Sequence, residues 1–345
     1  MEFHALENQE QQARQKLLSI DFAHMVARSL HVVAELKVAD YLVESPKTID
    51  ELAQATKTDK AVLYRVLRIL VTHEVFDYTA DCKFKLNETS MLLTSNHPSS
   101  LRAAIAKEID VKRWNAVGGL LKSLKTGNHT FNEEYGETFY EYLEKNQEAK
   151  TRFDAGMSKF SEFEDKEIVN LFDFNQCQRV IDVGGNQGSL GFQILKKYQN
   201  PHLVLFDLPG TVEHPKYLTE NTSFEDRYTV VGGSFFDDVP KGDAYVLKRV
   251  IHNWNDADAV KILKNCVRGM TPSARVLIID CIEEPLNEHT KASPFIDGDI
   301  IGVVIGGYER TKENFEKILS EAQLEIVAIH QSPKVRVKVI EAKLK

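Results

Sequence analysis

The chain has 345 residues, 43% hydrophobic and 27% charged, which is room for two domains or for one large domain with an appendage. A net charge of −8 argues against a nucleic-acid partner held mainly through phosphates. Cys82, Cys177, Cys266 and Cys281 are far apart, without C-x-x-C spacing, so neither a zinc site nor a disulfide framework is expected. The opening MEFHALENQEQQARQK has no apolar signal core and no later run has membrane length, so a cytoplasmic protein with no membrane partner is expected.

Residues 12–43 place Leu17, Ile20, Phe22, Val26, Leu30, Val33 and Leu36 at helical spacing. A helix with so much apolar surface needs a cover, and a second subunit is one candidate. Over 48–79, Thr48 with Glu51 forms a capping box, and Thr58 or Asp59 is placed to cap a helix running through Leu70. The alternation of KFKLN at 83–87 predicts a short strand. Helix, turn, helix and β-wing outline a winged helix. DNA binding would need a basic stripe, but over 47–88 seven basic side chains (Lys47, Lys57, Lys60, Arg65, Arg68, Lys83, Lys85) meet seven acidic ones (Asp50, Glu51, Asp59, Glu74, Asp77, Asp81, Glu88). An interaction role is the better reading, with no nucleic-acid partner.

Residues 101–172 read as helical and rich in aromatics, among them Trp114, Phe131, Tyr135, Phe139, Tyr140, Tyr142, Phe153, Phe160 and Phe163. Singly each suits a core; together they can wall an aromatic pocket. From Asn175, strands are predicted at 178–183, 202–207, 228–231, 243–248 and 274–280. Helices are expected to about 198, at 256–269 and at 311–322, followed by LEIVAIH and VRVKVIEAKL. That succession predicts an α/β fold with a mostly parallel sheet and a terminal antiparallel pair. The expected divisions are 1–105 (helical, winged), 106–174 (helical, contributing to a substrate pocket) and 175–345 (Rossmann-like).

Within the last division, VIDVGGNQG at 180–188 reads as a buried strand and a glycine turn opening a helix, and HLVLFDLP at 202–209 as a second strand ending in Asp207. Gly184, Gly185 and Gly188 let the backbone bend and a ligand come close. Asp207, nineteen residues after Gly188, is placed for ribose hydroxyls. Asn186, Gly188 and Gly191 keep the spacing of a dinucleotide fingerprint, so a dehydrogenase is not excluded on spacing. Asp182, however, sits poorly beside a pyrophosphate and suits a cationic ligand. The pattern D-x-G-x-x-x-G resembles the loop that binds S-adenosylmethionine (SAM); the plainer reading of Asp182 is a helix cap. Past the strand AYVLK at 244–248 comes His252, on the ligand side of such a sheet. An imidazole there can take a proton from a hydroxyl. Trp254 is placed to pack beneath it, Asn255 or Asp256 to cap the next helix, and Asp280 and Glu309 to orient it.

The chain resembles SAM-dependent small-molecule O-methyltransferases of the caffeate, flavonoid and hydroxyindole group over nearly its whole length. The motifs are the winged-helix start, TG…F…YG…F…YL…F…GM at 126–157, DVGGNQG with FDLP, PKGDAYVLKRVIHNWND at 240–256, and GGYERT at 306–311. The resemblance implies a homodimer whose first halves help close the active sites. It also implies SAM as cofactor and in-line methyl transfer to a hydroxyl of a small aromatic acceptor. His252 then matches the general base, with Asp280 and Glu309 its flanking acids. Asp182, Gly184, Gly185, Gly188, Asp207, Leu208, Ser234, Phe235 and Lys248 fall on the cofactor side, Lys248 near the adenine. Trp114, Phe153, Met157, Asp297 and Ile301 are candidate substrate contacts, with Asp299 nearby.

The sequence departs from that family at three places. Asn186 replaces the third glycine of GGG, tolerable because Asn enters left-handed conformations. Ser234 stands where an Asp usually faces the adenine, and Asp280 where plant relatives carry a longer Glu. Two alternatives fit the same residues: an enzyme of this fold that binds SAM for a non-methylating reaction, and a regulator whose winged helix responds to SAM.

Overall fold

The computed structural model describes residues 2–213, 215, 217, 222–284 and 307–345, without the side chains of 2–9, 160, 163 and 222. Two compact units divide the chain at Asp110 and Val111. In the first, helices Glu2–Asp21 and Ala23–Glu35 are followed by Ile49–Thr56 and Lys60–Thr72. The Thr48–Glu51 capping box forms, and the second of these shorter helices starts at Asp59, whose carboxylate accepts from the Val62 N–H. Lys57, in a left-handed conformation, makes the turn between them. Two short strands, β1 (Asp77–Tyr78) and β2 (Phe84–Lys85), pair antiparallel after them, the second within the strand expected at 83–87. Leu52, Leu63, Leu67, Leu70, Phe76 and Phe84 close this core. Lys60 pairs with Asp50 at 2.7 Å, so part of the basic helix face is already neutralised.

The second unit opens with helices Val111–Gly118, Leu120–Thr126, Thr130–Tyr135, Phe139–Lys145 and the long Gln147–Ile168. Phe131, Phe139 and Tyr142 are buried together there. A seven-stranded sheet follows, built from β3 (Arg179–Val183), β4 (His202–Asp207), β5 (Tyr228–Gly232), β6 (Gly242–Lys248), β7 (Met270–Asp280), β8 (Leu324–His330) and β9 (Lys338–Leu344). Its order is β5-β4-β3-β6-β7-β9-β8. β3 to β7 run parallel, while β9 lies antiparallel between β7 and β8. The central strands are near-continuous Val, Ile and Leu runs, as strands covered on both faces must be, and separate apolar clusters lie on the two sides of the sheet. β3 pairs with β4 on one side and β6 on the other, so the order of connection reverses at β3. A ligand crevice is expected outside the carboxyl ends of strands at such a switch point. Both chemical motifs lie at those ends. Among the described residues, no single helix is long and apolar enough to cross a membrane, and no cluster of three His, Cys, Asp or Glu is placed to hold a metal.

Candidate active site

The turn after β3 is tight enough to define what it can hold. Gly184 and Gly188 have φ of +72° and +81°, and Asn186 takes the left-handed conformation at +50°. A Cβ on Gly184 would lie 2.8 Å from the Val250 side chain and 3.8 Å from the Phe235 ring, so this turn, the end of β6 and the segment after β5 meet here. At Gly185 a Cβ would come within 2.5 Å of Leu205 and 2.6 Å of the Asp182 carboxyl carbon. Gly188 caps helix Ser189–Lys197 in the left-handed conformation. Asp207, at the end of β4, accepts from the Asn186 N–H at 2.9 Å and from the Leu208 N–H at 2.7 Å. Those bonds leave lone pairs on the same carboxylate for further donors. Burial pushes the Asp207 carboxyl above its ordinary range, against the pull of these two bonds and of Lys150.

Asp182, one residue before the end of β3, is buried, and its Oδ2 has no hydrogen-bond partner among the described residues. Burial, then the Asp165 and Asp207 carboxylates, push it up to about 7, with Lys248 pulling the other way. Such a group gains most from an arriving cation. Ser234 lies in the turn after β5, its hydroxyl accepting from the Phe236 N–H at 3.2 Å.

The loop after β6 carries the base candidate. His252 lies in a single turn, Ile251–Asn253, and is 7% exposed. Its Nδ1 faces the Asp280 carboxylate, at the end of β7, at 3.5 Å. Neither Nδ1 nor the two Asp280 oxygens has a hydrogen-bond partner among the described residues. Burial, with the Arg249 and Arg310 guanidiniums, holds the imidazole down to about 3. Burial pushes Asp280 up to about 8; Arg249 and Arg310 oppose that and Glu309 adds to it. Glu309 is buried beside them. The Trp254 ring packs edge-on against Phe236 and Phe235 and stacks on Tyr140, and Asn255 caps helix Asp256–Gly269.

Residues that the sequence does not single out hold this loop. Arg310 is fully buried; it donates to the carbonyls of Ile251 and Trp254, on either side of His252, and to Asp256. Gly307 packs so closely against the backbone of His252 and Asn253 that no Cβ fits. Arg249 has φ of +53° and forms a two-point pair with Glu164. The Lys248 ammonium, expected near an adenine, is held by Asp165 at 2.5 Å and lies 3.6 Å from Glu164. An arginine adjoining Glu309 in GYERT is the one advance signal; Glu164 and Asp165, in the run EFEDKE, carry none. Among candidate substrate contacts, Phe153 and Met157 lie half-buried on the long helix, Phe153 edge-on to Phe139 at 5.2 Å, and Trp114 is half-buried on Val111–Gly118. Asp297, Ile301 and Asp299 lie outside the described residues.

Residues 114–325 match the O-methyltransferase domain, and 18–96 match the O-methyltransferase dimerisation domain. The chain belongs to this O-methyltransferase family. It is 32% identical to the O-methyltransferase SfmM3 of Streptomyces lavendulae, over 90% of this chain and 95% of that one. It is also 32% identical to the 8-amino-8-demethylriboflavin N,N-dimethyltransferase of Streptomyces davaonensis, over 94% of each chain. Among solved structures, the O-methyltransferase NcsB1 from neocarzinostatin biosynthesis, in complex with SAM and 2-hydroxy-5-methyl naphthoic acid, superposes with a TM-score of 0.81. That match covers 93% of this chain and 96% of the other, at 26% identity.

This methyltransferase is SAM-dependent, and its residues fit that cofactor. The turn has no room for side chains at Gly184 and Gly185, the Asp182 Oδ2 lacks a hydrogen-bond partner among the described residues, and Asp207 retains acceptor capacity for two hydroxyl donors. Two carboxylates at the ends of adjacent strands, Asp182 and Asp207, suit a ligand with a sulfonium and an ammonium and no phosphate.

Proposed function

We propose that this methyltransferase transfers the methyl group of SAM to a hydroxyl of a small aromatic acceptor, with His252 as general base and Asp280 and Glu309 flanking it. The observation that carries this reading is the placement of His252 at the end of β6, its Nδ1 facing Asp280 at 3.5 Å. Burial keeps the imidazole neutral across the neutral range, and an unprotonated ring can accept a proton. Once ionised, and with a small closure of the 3.5 Å gap, Asp280 can accept from Nδ1–H and turn the Nε2 lone pair toward the acceptor hydroxyl. Bound SAM supplies an activated methyl group on a sulfonium. The remaining work of the chain is alignment of oxygen, methyl and sulfur, together with removal of the hydroxyl proton. Asp182, Gly184, Gly185, Gly188, Asp207, Leu208, Ser234 and Phe235 hold the cofactor end, and Lys248 acts at its edge.

Two relatives support an aromatic acceptor. One is named for a riboflavin derivative, and one is bound to a naphthoic acid. Phe153 and Trp114, with Met157, offer the matching apolar surface. The riboflavin relative is named an N,N-dimethyltransferase, so an amine acceptor is the second reading; it would need no base as strong as a phenol requires. The dimerisation domain supports a homodimer.

The test is calorimetric titration of S-adenosylhomocysteine, followed by a screen of phenols and aromatic amines with methyl-labelled SAM. His252→Ala is expected to lose about 10²- to 10⁴-fold in turnover on a phenol, the usual share of a general base, while product affinity stays near that of the parent. Equal loss of both would assign His252 a structural role.

A further inference from the structure

The long helix Gln147–Ile168 places two adjacent carboxylates against two adjacent cations at the end of β6. Asp165 is fully buried; its Oδ1 accepts from the Lys248 ammonium and its Oδ2 from the Ser189 hydroxyl, both at 2.5 Å. Ser189 is the first residue of the helix that begins at the glycine turn, and Lys248 is the last residue of β6. Glu164 holds Arg249 at 2.7 and 3.2 Å. Arg249 in turn sits in the left-handed conformation, and its carbonyl accepts from the Asn253 side chain, beside His252. One turn of one helix therefore grips the cofactor helix with one carboxylate and the root of the base-bearing loop with both. Nearer its start the same helix reaches the glycine turn again, where Asp154 accepts from the Asn186 side chain at 3.3 Å.

A pair kept only for stability has no reason to bridge these two elements, and a buried ion pair is weak evidence for stability in any case. We propose that Asp165 is a positioning residue, acting with Glu164 to couple the cofactor-binding turn to the loop that carries His252, so that filling the first sets the second. The inference rests on the methyltransferase reading. Asp165 acts through Ser189 and Lys248 and touches neither methyl group nor acceptor. Burial raises its carboxyl, while Lys248 and Ser189 act to hold it ionised.

The chain has two tryptophans, and Trp254 adjoins the base loop. In a Trp114→Phe background its fluorescence reports that loop while S-adenosylhomocysteine is titrated into the full-length protein. The parent is expected to bind and to change its Trp254 emission on binding. Asp165→Asn should weaken binding about tenfold or more, the loss of a charge-assisted bond, and should abolish the emission change at saturation. Ser189→Ala, which cuts only the cofactor arm, should weaken binding severalfold. Glu164→Gln should bind within about twofold of the parent while losing most of the emission change, since the charge on the loop side alone is removed. If Asp165→Asn does not fold, the Ser189 and Glu164 variants decide. Parent-like binding and emission in the variants, with only a lower melting temperature, overturn the coupling. A parent that binds no S-adenosylhomocysteine overturns the methyltransferase reading itself.

Discussion

At the scale of single residues, three side chains give direct tests. Asp207 already takes two backbone N–H groups and keeps lone pairs free for the ribose hydroxyls that the proposed cofactor site would bring. Asp207→Ala should weaken S-adenosylhomocysteine binding by about 1–3 kcal/mol by calorimetry; unchanged affinity would remove it from the site. Asp280 gives a pH test. Its carboxyl is pushed up to about 8, so it is protonated below that value and gains its charge above it. The ionised form accepts from His252 Nδ1–H more strongly than the protonated one and stabilises the imidazolium that proton transfer creates, so turnover should rise with pH through about 8 and then level. Asp280→Asn cannot titrate and should lose that limb on the same acceptor, a comparison that cancels the acceptor's own ionisation. An identical pH profile in the two proteins would show that Asp280 does not orient the base. Gly185 tests the tightness of the turn. A Cβ there meets Leu205 and Asp182, whereas one on Gly210 meets no atom of the described residues within 4 Å. Gly185→Ala should cost about 1–3 kcal/mol, as overpacking does, and Gly210→Ala should melt like the parent.

At the scale of elements, the strands and their caps were legible because each is written locally. Apolar runs such as RVIDV, the Thr48–Glu51 box and the glycine turn specify their own geometry from neighbours a few residues away, and the helix predicted at 256–269 forms there. The nineteen-residue step from Gly188 to Asp207 was readable because it spans one local unit: helix Ser189–Lys197, which Gly188 caps, and β4, which Asp207 ends. The fixing of the base loop was not legible. Arg310 is 54 residues from Asp256 in sequence and 59 from Ile251, yet bonds both. Asp165 is 83 residues from Lys248. Nothing local separates these charges from the solvated ones around them, since only the packed sheet decides which are buried. Arg310 yields the prediction at this scale. Arg310→Met keeps much of the side-chain volume but leaves the Ile251 and Trp254 carbonyls without their donor, and a buried unsatisfied group costs about 1–3 kcal/mol. The variant should unfold at lower denaturant with an unchanged slope, and its turnover should fall because the loop on either side of His252 is no longer held. Full stability and turnover would mean that other contacts fix the loop.

At the scale of the whole molecule, the first unit presents surface that a lone chain would not keep. Leu17, Leu18, Ile20 and Phe22 are between 57% and 69% exposed, and Met25 is 47% exposed. They cluster where the helices Glu2–Asp21 and Ala23–Glu35 meet at a 41° bend. The apolar repeat read from sequence as one helical face is split at this bend: beyond it Val33 turns into the core of the unit, while before it the same spacing is left outside. Contiguous apolar patches of this kind mark interaction sites, and the match to the dimerisation domain begins at residue 18. A second copy is the expected cover. Burying a large apolar side chain contributes about 1.5–3 kcal/mol. Leu17→Asp with Ile20→Asp changes four side chains in a two-fold dimer and should therefore remove about 6–12 kcal/mol of association, before the cost of bringing four carboxylates together. Sedimentation velocity at micromolar concentration should show a dimer for the parent and a 39.2 kDa particle for the double variant. The folded sheet should persist in the variant, because neither side chain packs in any core, and far-ultraviolet circular dichroism checks this. A variant that still sediments as a dimer would place the interface on another face of the chain.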